Sequence, residues 1–316
     1  SLSAIELFLK KPKGAWLVLL TTSLTLSILS GAFQMTFYVY AFTIIWILYR
    51  VWNHNLRARY LMVFGLAITT SWFLSAIHLI PSIEAYYHST RISTDIKYII
   101  DDYLLPLSQM VTLIAPDYYG NPATYNHFGH GFYHERLIWL GIVPLLLLLT
   151  QVMRKKTTAP HQRFFQLAFL GTLSLVLSLP TTWFLLYTLK LPLLSTMTPS
   201  RMMMLVTFVA AILSAYGIEE YWKGFPKKIL IWITGSIGLA LIVAAAIPLL
   251  IHYRDETNFT YMISLRNLVI PAASSITALL ILWVTRIKST LRNTGYMLLV
   301  TLLLGNSFLF AHKYLY

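Results

Sequence analysis

A carboxylate set between aromatic rings suits a sugar, because rings stack on its apolar face while the acid takes its hydroxyls. Ala115-Pro116-Asp117-Tyr118-Tyr119-Gly120-Asn121-Pro122 supplies that combination in a turn-rich segment. Asp117, Tyr118 and Tyr119 are therefore candidate sugar contacts, although the same residues also make a packed interfacial turn. Shortly after come His127, His130, His134 and Glu135, interleaved with Gly129 and Gly131. Imidazole and carboxylate are zinc ligands, but the spacing is not His-Glu-x-x-His and the glycines work against one rigid helix holding all three. No metal or other cofactor is expected. His134 and Glu135 are read as polar contacts to a phosphate or sugar, or as plain loop residues.

Upstream, Glu84, His88, Arg91 and Asp95 recur at three- and four-residue spacing, which gives one polar face to a helix expected over Ser82 to Ile100. That face meets a substrate headgroup or only solvent. Thr198-Pro199-Ser200-Arg201 has an N-cap residue, then proline at the first helical position. Free N–H groups there attract an anion, and Arg201 adds a permanent bidentate charge; the plainer alternative is that Arg201 snorkels to lipid headgroups. Gln34, beside Gly31 at a tight turn, caps a helix end or touches substrate.

The elements that position these residues are dictated by composition. Of 316 residues, 57% are hydrophobic and 11% are charged, against about 25% charged in soluble domains. The expectation is a single all-α transmembrane bundle over residues 1–316 with about nine crossings. They are placed at about 15–29, 33–49, 60–80 (stopping at Pro81), 137–152, 164–179, 202–221, 229–251, 268–284 and 296–311. Two outer segments interrupt them: a long loop region over 81–135 with interfacial helices, and a proline-broken interfacial or re-entrant stretch over 180–201. Cysteine is absent, which excludes disulfides and thiolate chemistry.

Net charge is +13, from 24 Lys and Arg against 11 Asp and Glu. With the N-terminus in the cytoplasm, alternation puts 16 of the 24 basic residues on the cytoplasmic side and eight of the 11 acids outside. That bias fits the orientation rule and leaves no nucleic-acid partner to invoke. The 81–135 segment runs against the global balance, with Arg91 and Lys97 facing six acids. A segment this long in a compact protein is usually functional or disordered, and its aromatic content speaks against disorder.

Several motifs occur together in order. Ser30-Gly31-Ala32-Phe33-Gln34 leads into a tyrosine-rich helix, and Pro81-Ser82-Ile83-Glu84 precedes Ser89-Thr90-Arg91. Pro116-Asp117-Tyr118-Tyr119-Gly120 precedes Tyr133-His134-Glu135, Gly141 and Pro144. Pro199-Ser200-Arg201 opens a helix ending Tyr216-Gly217-Ile218-Glu219. In that order the chain resembles, over roughly residues 30–220, the bacterial YfhO-like polytopic membrane proteins grouped with the GT-C glycosyltransferases. The resemblance implies a GT-C-like bundle in the bacterial cytoplasmic membrane with its functional face outside. It implies transfer of a sugar from a polyprenyl-phosphate donor to a cell-envelope glycan or lipid acceptor, with membrane lipid as a further partner. Such enzymes usually carry a catalytic Asp in the first outer loop, whereas here Ser30 to Gln34 holds no acid. The chain is accordingly expected to be a fragment lacking the first helix and loop, or to have lost the chemistry. Within it, Asp117 is the first candidate acid or base and Glu84 the second. The alternatives are a lipid or polysaccharide transporter or flippase, which the scarcity of charge inside the crossings disfavours, and a non-catalytic assembly protein.

Overall fold

The computed structural model describes all residues except 54–57, 90–94, 96, 98, 130, 155–160, 190–197, 256–258 and 315–316. Among the described residues the regular structure is helical, apart from one isolated bridge between Leu105 and Leu177. Among the described residues five helical stretches are long and apolar enough to cross a membrane: Phe33–Asn53, Pro199–Lys223, Lys227–Arg254, Thr260–Ile287 and Ser289–Tyr314. A sixth arises if the bent pair Arg59–Leu74 and Ala76–Tyr87 is one span. This is a multi-pass helical membrane protein in length and composition.

The chain divides into two compact units, residues 1–103 with 184–205, and residues 104–183 with 206–316. In the first unit, α1 (Leu2–Lys10) buries Ala4, Ile5 and Phe8 on one face, and α2 (Gly14–Leu29), α3 (Phe33–Asn53) and α4 (Arg59–Leu74) follow. The first expected crossing starts at Ala15, and α1 before it is too short and amphipathic to register as a crossing. Arg50 at the end of α3 grips Glu6 of α1 with two bonds, at 2.6 and 2.9 Å.

The third expected crossing is broken earlier than foreseen. α4 gives way to α5 (Ala76–Tyr87) at Ser75 with a 78° bend, while Pro81 sits inside α5. Hydroxyls explain the position: Ser75 Oγ donates to the Ser71 carbonyl at 2.6 Å, and Ser71 Oγ to the Ile68 carbonyl at 2.6 Å. Such back-bonding loosens a helix and bends it. The polar helix expected over Ser82 to Ile100 ends at Tyr87, and Ile99–Tyr103 is a separate turn of π-helix.

The second unit holds a short turn α6 (Tyr133–Arg136), then α7 (Ile142–Val152), α8 (Gln162–Val176) and α9 (Pro180–Phe184, its last residue in the first unit). α10 (Met203–Lys223) belongs to this unit from Val206 on, and α11 (Lys227–Arg254), α12 (Thr260–Ile287) and α13 (Arg292–Ala311) complete it. α7 starts later than expected because Leu137 to Gly141 is not helical and Gly141 has φ +87°. Its 11 residues rise about 16 Å, half of a hydrocarbon core of about 30 Å. α7 and α10 touch where Gly217 lies against Leu147; a Cβ on Gly217 would stand 2.8 Å from the Leu147 carbonyl oxygen.

A buried polar cluster joins α7, α8 and α10. Gln151 Nε2 donates to Glu220 at 2.9 Å, Gln162 Nε2 to Gln151 Oε1 at 2.6 Å, and Arg154 pairs with Glu220 at 2.7 Å. The ion pairs Glu6–Arg50, Arg154–Glu220 and Asp117–Lys313 each join residues that charge alternation assigns to one side of the membrane.

Candidate functional site

A proline inside a long helix prepares the site in the second unit. Pro248 inside α11 has no N–H, so the Ala244 carbonyl loses its helical donor. Tyr118 fills that vacancy, its hydroxyl donating to the Ala244 oxygen at 2.7 Å. Ser264 Oγ of α12 in turn donates to the Tyr118 carbonyl at 3.0 Å. Asn267, also on α12 and four residues before Pro271, donates its amide to the Asp117 carbonyl at 2.6 Å. The Asp117-Tyr118 turn is thus fastened to two long helices through backbone oxygens. Burial pushes the Tyr118 phenol up to about 12 and raises that of Tyr119.

Asp117 is 4% exposed and accepts hydrogen bonds on both side-chain oxygens. Oδ1 takes the Asn121 amide at 2.8 Å and the Tyr133 hydroxyl at 2.6 Å, and Oδ2 pairs with the Lys313 ammonium. Asn121 reaches Tyr314 Oη at 3.0 Å with the same amide, and its carbonyl oxygen caps the turn at Ala123 N at 2.8 Å. Gly120 permits this turn: its φ is +79°, and a Cβ there would run into the Asn126 carbonyl. The Tyr133 phenol is raised, by burial first and then by its bonds to Asp117 and Tyr314. His127 and His134 stack edge-on against Tyr133 at 5.6 and 5.5 Å. Burial lowers the His127 imidazole.

A cavity of about 380 Å³ opens beside this hub, with Asp117, Arg266, Asn267, Asn306, His312 and Lys313 among its lining. Trp139, Ile270 and Phe310 supply apolar wall. Arg266 is exposed.

The expected site residues distribute between the units. Asp117, Tyr118, Tyr119, His134 and Glu135 fall in the second, where Asp117 and Tyr118 are buried, His134 is exposed and Glu135 is half-buried. His134 approaches the Tyr314 ring at 6.2 Å. Arg91 and His130 lie outside the described residues. Gln34, Glu84 and Arg201 fall in the first unit. Gln34, 5% exposed, donates to Tyr38 Oη at 2.7 Å and to the Thr198 carbonyl at 2.6 Å, and its own Oε1 has no hydrogen-bond partner. Pro199 takes the first helical position as expected, but the Thr198 side chain makes no capping bond. Glu84 is exposed on α5, a helix with no buried residue. Among the described residues no three His, Asp or Glu side chains come together as a metal site.

Asn121, Tyr133, Asn267, Lys313 and Tyr314 were not foreseen as site residues. Asn121 and Tyr133 stood inside motifs already singled out. Lys313 carried no local signal, since its partner is 196 positions away. No family model matches the chain, and no curated protein or solved structure matches it.

Proposed function

We propose that the protein is a GT-C-type glycosyltransferase, or a large part of one, in the bacterial cytoplasmic membrane. It moves a sugar from a polyprenyl-phosphate donor to a cell-envelope acceptor on the outer face. In this reading the chain crosses about nine times, with α2, α7 and α8 as short crossings and the N-terminus in the cytoplasm. The observation that carries the proposal is the buried Asp117 hub, fastened to two long apolar helices and bordered by a polar cavity. Asp117 is the base: Oδ2 takes the proton of an acceptor hydroxyl as its oxygen bonds to the sugar C1 and the C1–phosphate bond breaks. Lys313 must first yield Oδ2, and its ammonium then faces the departing phosphate. Within the first unit Gln34 and Arg201 remain candidate substrate contacts and Glu84 the second candidate acid or base.

The saturation of Asp117 supports one alternative. A carboxylate with partners on both oxygens also suits a non-catalytic assembly protein in which the hub only fastens helices. Purified full chain in nanodiscs with a lipid-linked sugar and envelope acceptors separates the two. Asp117→Asn and Arg201→Ala are expected to abolish transfer at normal expression. Full transfer in both variants would sink the site assignment.

A further inference from the structure

The cavity beside Asp117 has an apolar continuation. A groove of about 440 Å³ lies between α7, α10 and α13, and Trp139 lines both it and the cavity. α10 lines the middle of the groove with the small residues Ala210, Ala211, Ser214 and Ala215, and the larger Ile218 and Tyr221 line one end. Its lining runs along α10 from Thr207 to Tyr221, about 21 Å of helix. α13 serves both spaces: Leu299, Val300 and Leu303 meet the groove, Asn306 and Phe310 beyond them meet the cavity, and Lys313 meets it from the turn just past the end of the helix.

The chemistry of the two spaces differs. The groove takes hydrocarbon. The cavity takes an anion, because Arg266 and Lys313 outnumber Asp117 on its wall and the Asn306 amide nitrogen there is buried without an acceptor. Arg266 makes no ion pair among the described residues. Lys313 spends one side of its ammonium on Asp117, which fixes it at the cavity wall.

We propose that the second unit binds a phosphate-headed lipid. The phosphate sits between Arg266, Lys313 and the Asn306 amide, and one chain lies in the groove past Trp139. Asp117 is then a positioning residue for the head as well as the proposed base, because it holds Lys313 in place. The inference rests on the transfer reading for the lipid's purpose but not for its binding, and it moves the phosphate contact from Arg201 to Arg266 and Lys313.

The test measures equilibrium binding to the delipidated full chain, with farnesyl phosphate, farnesol, inorganic phosphate and nanodiscs containing phosphatidylglycerol as separate probes. Farnesyl phosphate is expected to bind far more tightly than farnesol. Arg266→Ala and Lys313→Gln are each expected to weaken it about tenfold or more. Ala211→Phe, which fills the groove, is expected to remove chain-dependent affinity and leave phosphate binding unchanged. If that variant fails to fold, the partly exposed Lys313→Gln still decides the matter. Competition by phosphatidylglycerol assigns the site to bilayer phospholipid, and its absence assigns it to single-chain phosphates. Equal binding of farnesol and farnesyl phosphate, or wild-type affinity in both head variants, overturns the proposal. Binding without any sugar transfer leaves this site standing and removes the transferase reading; transfer with an unchanged KM in Lys313→Gln does the reverse.

Discussion

Deleting one hydroxyl tests the attachment of the Asp117 turn. Tyr118→Phe keeps the ring in its cluster with Ala115, Ala244 and Leu268 but removes the donor at 2.7 Å from the Ala244 carbonyl. That carbonyl is buried, and Pro248 supplies no helical N–H, so the variant strands an acceptor at a cost of about 1–3 kcal/mol. In a Pro248→Ala background the helix regains its donor, and the same deletion removes a second bond to a satisfied oxygen, costing about 0.5 kcal/mol. The coupling between the two positions is therefore about 0.5–2.5 kcal/mol. Equilibrium unfolding of the four proteins in mixed micelles measures it. The pH arm has a definite sign. The neutral phenol donates the bond, and its folded pKa lies above the unfolded value of 10.0, at about 12. Stability from Tyr118 is complete below pH 10 and is lost as pH climbs toward 12, a component that Tyr118→Phe lacks. Additive effects within about 0.5 kcal/mol would refute the account of Pro248 and Tyr118 as a matched pair.

Other substitutions probe the remaining contacts. Asp117→Ala leaves the Tyr133 hydroxyl and Lys313 without their acceptor and is expected to cost about 3 kcal/mol, whereas Asp117→Asn costs less; equal unfolding midpoints for the two would refute the hub. Glu220→Ala strands Gln151 and Arg154 between α7, α8 and α10 and is expected to destabilise by about 3 kcal/mol, read by unfolding in the same micelles. Gly217→Val forces a side chain against the Leu147 carbonyl and is expected to lower stability by about 1–3 kcal/mol; an unchanged melting point would disprove the close α7–α10 approach.

Long apolar runs were legible. The stretches expected at 229–251, 268–284 and 296–311 correspond to Lys227–Arg254, Thr260–Ile287 and Arg292–Ala311, longer by five, eleven and four residues because polar ends continue a helix that hydropathy alone truncates. Breaks were less legible. Proline marked the expected stop at Pro81, yet the bend falls at Ser75, where hydroxyls compete for carbonyls and apolar pattern gives no warning. Asp117 and Tyr118 stood out by residue type, and the structure buries both. Their partners did not, because Lys313, Asn267 and Ala244 meet them only after helices pack. Pro248 and Pro271 lay inside apolar runs and passed as ordinary residues of those runs. The value of Pro248 is the Ala244 oxygen it sets free for Tyr118.

The Asp117–Lys313 pair spans 196 residues. At about 5–20 residues per second of synthesis, roughly 10–40 s separate the emergence of its two ends. During that interval Asp117, Asn121 and Tyr133 wait without the ammonium that completes them, while α11 and α12 arrive to fasten the turn. The hub therefore closes only after α11, α12 and α13 have been made. A chain stalled before α13 would hold the Asp117 carboxylate without its counter-ion.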